Sequence, residues 1–189
     1  MAFKRLTKKR LARINSEMRT CGRKKKQRAT IAGIVELAET GEYLLVYGKK
    51  GVARDAPNPG IVKGAPEKDE TALAALLREI EEELEISSHL VKAKGYGGSH
   101  SVRSLKRKGG FWRKRYFIFH VVYSGDRDLI VNTDELSDYV WVAYEDIAER
   151  LAVLQATRPE KFKVLMKVFK DLKSGKRKKK ARVKKPPSH

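Results

Sequence analysis

Three glutamates crowd one side of a single helical segment. Residues 70–85 carry helical periodicity, and with Glu79 as origin Glu82 and Glu83 fall at about −60° and about +40°, at roughly 100° per residue. Leu73, Leu76, Leu77, Ile80 and Leu84 form a separate apolar stripe for a core, and Ala72 and Ala75 leave space beside the acids. Carboxylates at i, i+3 and i+4 repel one another, and none of the three has a Lys four residues on. A divalent cation with hard oxygen ligands, Mg²⁺ or Mn²⁺, relieves that repulsion and keeps waters for reaction. The alternative is an ordinary solvated acidic face.

The flanking segments must hold this helix in place. Residues 31–37 and 43–48 read as β-branched or aromatic strands joined by a turn at Thr40-Gly41-Glu42. Residues 49–69, rich in Gly, Pro and charge, read as loop with a short strand at 61–63. Further strands are expected at 115–123 and 138–144. Helices are expected at about 144–154 and at 159–172, the latter opening at Pro159 with Phe162, Leu165, Phe169 and Leu172 on one stripe. Interspersed strands and helices with short connections indicate a mixed α+β sandwich.

Charge is distributed unevenly. Of 189 residues, 43 are Lys or Arg and 23 are Asp or Glu, a net charge of +20. Residues 1–28 carry +11 and residues 173–189 carry +9, so the body between them is neutral. The organisation this implies is a basic N-terminal extension (1–28), a globular domain (29–172) and a basic, disordered C-terminal tail (173–189). Cationic ends suit polyanions, because each neutralised phosphate releases a counterion, so nucleic acid is an expected partner. Leu11, Ile14 and Met18 fall at helical spacing among the N-terminal basic residues, fitting an amphipathic helix for RNA, a membrane surface or organelle import. One cysteine, Cys21, excludes an intrachain disulfide framework and fits a reducing, cytoplasmic setting. No apolar run approaches the ~18–20 residues needed to span a bilayer.

The segment GAPEKDETALAALLREIEEELEI (64–86) resembles the Nudix box, Gly-x5-Glu-x7-Arg-Glu-(apolar)-x-Glu-Glu-x-Gly-(apolar). Gly64, Glu70, Arg78, Glu79, Ile80, Glu82, Glu83 and Ile86 match, whereas Glu85 stands where the box has its last glycine. A non-Gly residue there costs about 1 kcal/mol if the helix ends in a left-handed turn; otherwise the helix runs on. The resemblance implies an α/β/α sandwich with a mixed sheet and a catalytic loop-helix. It also implies Mg²⁺- or Mn²⁺-dependent hydrolysis of a pyrophosphate bond in a nucleoside diphosphate linked to another group. Glu82 and Glu83 would be core metal ligands, and Glu79 a ligand or the group that orients and deprotonates water. Gly64 would offer its carbonyl to the metal, Arg78 would hold a carboxylate, and Glu70 would buttress the loop.

Glu135, in the stretch EL-x4-WV (135–142), is similar to a late acidic residue of the family that serves as base or further ligand; a turn cap in TDELSD is the other reading. Lys63 and Arg28 are candidates for phosphate contact. The segment 99–115 interleaves Arg103, Lys106, Arg107, Lys108, Arg113 and Arg115 with Phe111 and Trp112, a substrate grip or a basic hairpin tip. His89 and His100 read as surface residues and Trp141 as core. The run 115–142 is similar to the branch that cleaves dinucleoside polyphosphates and triphosphorylated RNA 5′ ends. A MutT-like sanitiser of oxidised nucleotides and an RNA- or ribosome-associated binding protein are the alternatives.

Overall fold

A computed structural model describes residues 3–23, 27–48, 59–105 and 111–183. Its centre is β1 (Gln27–Leu37), which pairs in parallel along its whole length with β6 (Phe111–Tyr123). On its other side β1 meets β4 (Val62–Gly64), with Ile31 opposite Gly64, and at its far end β2 (Tyr43–Gly48). β2 carries β3 (Pro59–Gly60) and β7 (Leu136–Val142), and β5 (Val91–Leu105) pairs antiparallel with β6 at the sheet edge. Strand side chains alternate between faces, so β1 and β6 build two cores at once.

One core lies under α1 (Lys8–Arg23) and α2 (Ala72–Leu84) and holds Ile31, Val35, Phe117, Phe119, Leu76 and Ile80. The other lies under α3 (Ile147–Arg150), α4 (Val153–Thr157) and α5 (Pro159–Val183) and holds Ala32, Ile34, Ile118, Leu165, Val168 and Phe169. This is the α/β/α sandwich with a mixed sheet that the sequence implies. Among the described residues, no helix is long and apolar enough to cross a membrane.

Three segments differ from expectation. β5 was not foreseen, because its lysines and its glycines at 95, 97 and 98 are poor strand formers. Pairing with the aromatic β6 imposes the extended state, with bulges at Ala93/Gly95 and Tyr96/Gly98. At the N-terminus the amphipathic spacing does yield a helix, but α1 lies against the sheet instead of standing apart as an extension. Ile14, Met18 and Cys21 are buried in the first core, while Lys8, Lys9, Arg13 and Arg19 face outward. Burying two such apolar side chains is worth about 3–5 kcal/mol, enough to outweigh repulsion among solvated charges. At the other end, α5 continues through Val183, beyond the expected stop at 172 and into the segment read as a disordered tail. Lys106–Lys108 of the expected grip lie outside the described residues.

Candidate active site

Helix α2 begins where Thr71 accepts a hydrogen bond from the Ala74 N–H at 3.2 Å. A second acceptor comes from far away in sequence: Asn15 Oδ1 of α1 takes the Ala72 N–H at 2.9 Å. Two of the helix's orphan donors are thereby satisfied, one of them by the segment expected to be an extension. The helix ends at Glu85 with φ 51°, a left-handed turn made without glycine. The Glu85 N–H still reaches the Glu81 carbonyl at 2.9 Å, so the chain bears the steric cost to keep the turn.

On the inner face, Ala72, Ala75, Leu76, Ile80 and Leu84 are buried together with Glu79 and Glu83. Glu79 lies against the backbone of Gly64: a Cβ at that glycine would sit 1.7 Å from its carboxyl carbon. No other residue fits there. Burial pushes the Glu79 carboxyl above its usual range, with Arg78 working the other way and Glu82 and Glu135 reinforcing the rise. Glu83 is more extreme: 3% exposed, with Oε2 buried and without a hydrogen-bond partner among the described residues. Burial pushes its carboxyl up to about 7, opposed by the charge of Lys63 and reinforced by Glu79 and Glu135.

Arg78 organises the opposite flank. Its Nε and Nη2 donate to the two oxygens of Glu70 at 3.1 and 3.2 Å, Nη2 donates to the Ala65 carbonyl at 3.0 Å, and Nη1 lies 2.7 Å from Glu82 and 3.0 Å from Glu79. Glu70 also accepts the Glu67 N–H at 2.8 Å. Burial opposes ionisation of Glu70, yet Arg78 and that N–H hold its carboxyl below the usual range. The loop 65–71 is thus tied to α2 by one guanidinium.

Sequence reasoning brought Gly64, Glu79, Glu83, Glu82, Arg78 and Glu70 to one place, and the structure gathers them. Glu135 joins them electrostatically: it is exposed, and its charge acts on both Glu79 and Glu83. The loop that carries it is docked by Asn132, whose N–H donates to the Glu83 carbonyl at 3.0 Å. Of the phosphate candidates, Lys63 adjoins Gly64 on β4, and Arg28 lies on β1 beside Lys114 of β6. Arg113 and Arg115 belong to the other face of β6. Arg115 donates to Ser99 at 2.9 Å, pairs with Glu17 of α1 at 3.3 Å and lies over the Phe117 ring, while Arg113 is exposed. The substrate group expected from sequence is therefore divided between two faces. Lys108 lies outside the described residues. Trp141 is buried, with its indole N–H on the Arg127 carbonyl at 2.7 Å; His89 is exposed, and His100 is half-buried with Nε2 against the Gly97 carbonyl.

The donors suit a hard divalent cation: carboxylate oxygens beside the Gly64 backbone, one of them buried and lacking a hydrogen-bond partner among the described residues. Among the described residues, however, no three His, Cys, Asp or Glu side chains stand close enough to hold one ion together as they lie. The reason is visible in Glu82, half exposed and turned onto Arg78 instead of toward Glu83.

A mixed-sheet sandwich with a Gly-x5-Glu loop leading into an Arg-Glu-x2-Glu-Glu helix defines a hydrolase of phosphorus-containing anhydrides. The NUDIX domain family matches residues 27–167, and the chain belongs to that family. No curated protein matches the chain. Among solved structures, it is similar in fold to the dihydroneopterin triphosphate pyrophosphohydrolase of E. coli (21% identity, 69% of this chain and 94% of that one, TM-score 0.54). The Ap4A hydrolase of C. elegans in a binary complex is also similar (15% identity, 66% and 86%, TM-score 0.53). So is the MutT protein of Methanosarcina mazei Go1 (19% identity, 65% and 80%, TM-score 0.51).

Proposed function

We propose that the chain is a Mg²⁺- or Mn²⁺-dependent pyrophosphohydrolase whose substrate is an RNA 5′ end or a dinucleoside polyphosphate. The observation that carries this reading is the buried, partnerless carboxylate atom of Glu83, next to a Glu79 carboxyl seated where only Gly64 leaves room. Two carboxylates held that way destabilise the fold unless a cation joins them.

Glu83, Glu82 and the Gly64 carbonyl would hold the metal, with Glu79 as further ligand or base, and Glu82 would have to leave Arg78 to join the set. When bound, the ion would supply charge stabilisation on the phosphates and a lowered pKa for a bound water. The rest falls to the protein. Glu79, whose burial favours the protonated form, is suited to accept a proton from water. Glu135, exposed at the rim, is suited to take or relay it. Arg78 keeps loop and helix in register through Glu70 and Ala65. Lys63 and Arg28 meet substrate phosphates.

The RNA or dinucleoside assignment rests on the outward cationic face of α1 and on the basic residues at both ends of the chain. The Ap4A hydrolase likeness in fold is in keeping with it. Magnesium-dependent phosphate release should be measured from triphosphorylated RNA, diadenosine tetraphosphate and oxidised dNTPs, with wild type and Glu82→Gln. Turnover of the first two that Glu82→Gln abolishes supports the proposal. Preference for oxidised dNTPs would move the chain to the nucleotide sanitisers. No metal-dependent turnover, with tight salt-sensitive RNA binding, would leave an RNA-binding protein on this scaffold. A reducing, cytoplasmic location accords with the single, buried Cys21.

A further inference from the structure

On the face of the sheet opposite α2, a second set of like charges is packed together, and nothing in the reaction above employs it. Lys161 opens the buried stripe of α5 four residues before Leu165 and eight before Phe169, positions that an apolar residue normally fills. Its side chain is 8% exposed, and Nζ donates to the Pro59 carbonyl at 3.2 Å. Lys114 of β6 shares the alternation of Tyr116 and Ile118 and so points to the same face. Lys63 of β4 joins them. Lys63, Tyr116 and Lys161 line a cavity of about 10 Å³ among Ile61, Ile118 and Leu165, too small for more than a water. Lys63, Lys114 and Arg158 reach toward the surface above buried Lys161.

Among the described residues, every charge acting appreciably on Lys161 is another cation, namely Lys63, Arg158 and Lys114. The same holds for Lys114, which feels Lys63, Arg158 and Arg28. Burial and this mutual repulsion lower both ammonium groups, Lys161 to about 7. Lysines are almost never buried without a carboxylate partner, because desolvation and like-charge repulsion both oppose it. An arrangement that disfavours folding but suits a multiply charged anion points to a ligand. Lys63 makes the connection with the acidic site: it immediately precedes Gly64, and its charge is felt at Glu83.

We propose that Lys63, Lys114 and Lys161, with Arg158 beside them, form an oxyanion subsite that receives a phosphate of the substrate's polyphosphate chain. The proposal deepens the reading above and rests on it for the identity of the anion. Lys63 and Lys161 at one cavity, with Lys114 and Arg158 acting on Lys161 from nearby, favour a polyphosphate over a single carboxylate or a neutral sugar.

Binding of tripolyphosphate to the full chain, measured by calorimetry in EDTA, tests the site apart from hydrolysis. The variants are Lys161→Met, Lys114→Met and, as a charge-matched control, the exposed Lys163→Met. The expected result is a loss of tenfold or more in affinity for the first two and less than twofold for the control. Should Lys161→Met fail to fold, Lys114→Met carries the test. Unchanged affinity in the folded variants, or an equal loss in Lys163→Met, overturns the subsite. Turnover of diadenosine tetraphosphate, measured alongside, separates the two claims. Active wild type with KM unmoved by Lys161→Met refutes the subsite alone. Lysine-dependent binding without any metal-dependent turnover refutes the hydrolase reading and keeps the anion site.

Discussion

Two like-charged clusters stand on opposite faces of one short strand, and they are built differently. On the α2 side, Glu79 and Glu83 are buried beside Gly64, with Arg78 at the margin as a protein counter-charge. On the α5 side, Lys161 is buried among apolar side chains with Lys114 half-buried nearby, and among the described residues the charges acting on both are all positive. Each arrangement costs folding free energy, and in each the missing partner has the opposite sign. A metal ion and a phosphate are the two components that a pyrophosphate hydrolase must bring together, and β4 separates their sites by a single residue, Lys63 to Gly64. The acidic cluster is the more rigidly held, since hydrogen bonds through Arg78, Glu70 and the docked Asn132 fix its surroundings. The cationic one depends on packing.

The sharpest way to break the acidic half is Glu83→Gln. Turnover should fall about a thousandfold or more, as expected when a metal ligand is lost. Thermal stability should be kept or should rise, since the amide no longer buries a charge. A variant that loses stability in parallel with activity would instead mark Glu83 as a structural residue. Next comes Gly64→Ala, whose methyl meets the Glu79 carboxyl. Overpacking of that kind should cost about 1–3 kcal/mol in a denaturant melt and displace Glu79 from its seat.

The cationic half should behave oppositely under stress. Lys161→Met is expected to gain about 1–2 kcal/mol at pH 6, because replacing a buried ion with an apolar side chain of similar volume is commonly stabilising. The pH dependence follows from the lowered ammonium. Below about 7 both folded and unfolded chains carry the charge, so wild type bears the full penalty. As pH rises through about 7 toward 10.5, the folded lysine releases its proton while the unfolded one keeps it, so wild-type stability rises. The advantage of Lys161→Met should therefore shrink over that range in melts at successive pH values. Lys63, Lys114 and Arg158 face the same group and Tyr116 lines its cavity, so removing any of the three cations should narrow the gap as well.

Smaller effects test how the helix is anchored. Asn15→Ala should cost about 1 kcal/mol, with Asn15→Asp restoring most of it, because only the carbonyl-type oxygen reaches the Ala72 N–H. If Asn15→Ala melts like wild type, α1 is not a support for the catalytic helix. Smallest of all, Glu85→Gly should stabilise by about 0.5–1 kcal/mol in the same assay by relieving the left-handed turn at φ 51°.

The acidic cluster was legible because its members lie within 20 residues, on one helix and the loop before it, where spacing alone fixes direction. Arg78 is the partial exception. Its pairing with Glu70 is the carboxylate-holding role the family resemblance implies, but its grip on Ala65 and Glu82 depends on how the loop folds back. The cationic cluster was half legible. Lys63 and Arg28 read as phosphate contacts from sequence, and Lys161 carries a usable signal as well: a lysine on the core stripe of its helix. Lys114 carried the matching one, a cation in step with Tyr116 and Ile118, whereas the neighbouring Arg113 and Arg115 drew attention and belong to the other face.

By itself the sequence determined the class of chemistry, the catalytic loop-helix and most of the strands. Those are properties of local spacing, in which the period of a helix or strand decides what shares a face. Tertiary structure decided that α1 belongs to the core and caps α2, that the glycine-rich β5 is extended, and that lysines of β4 and α5 line one cavity. Such contacts join residues dozens of positions apart, and only the burial of apolar surface across the whole sheet brings them together.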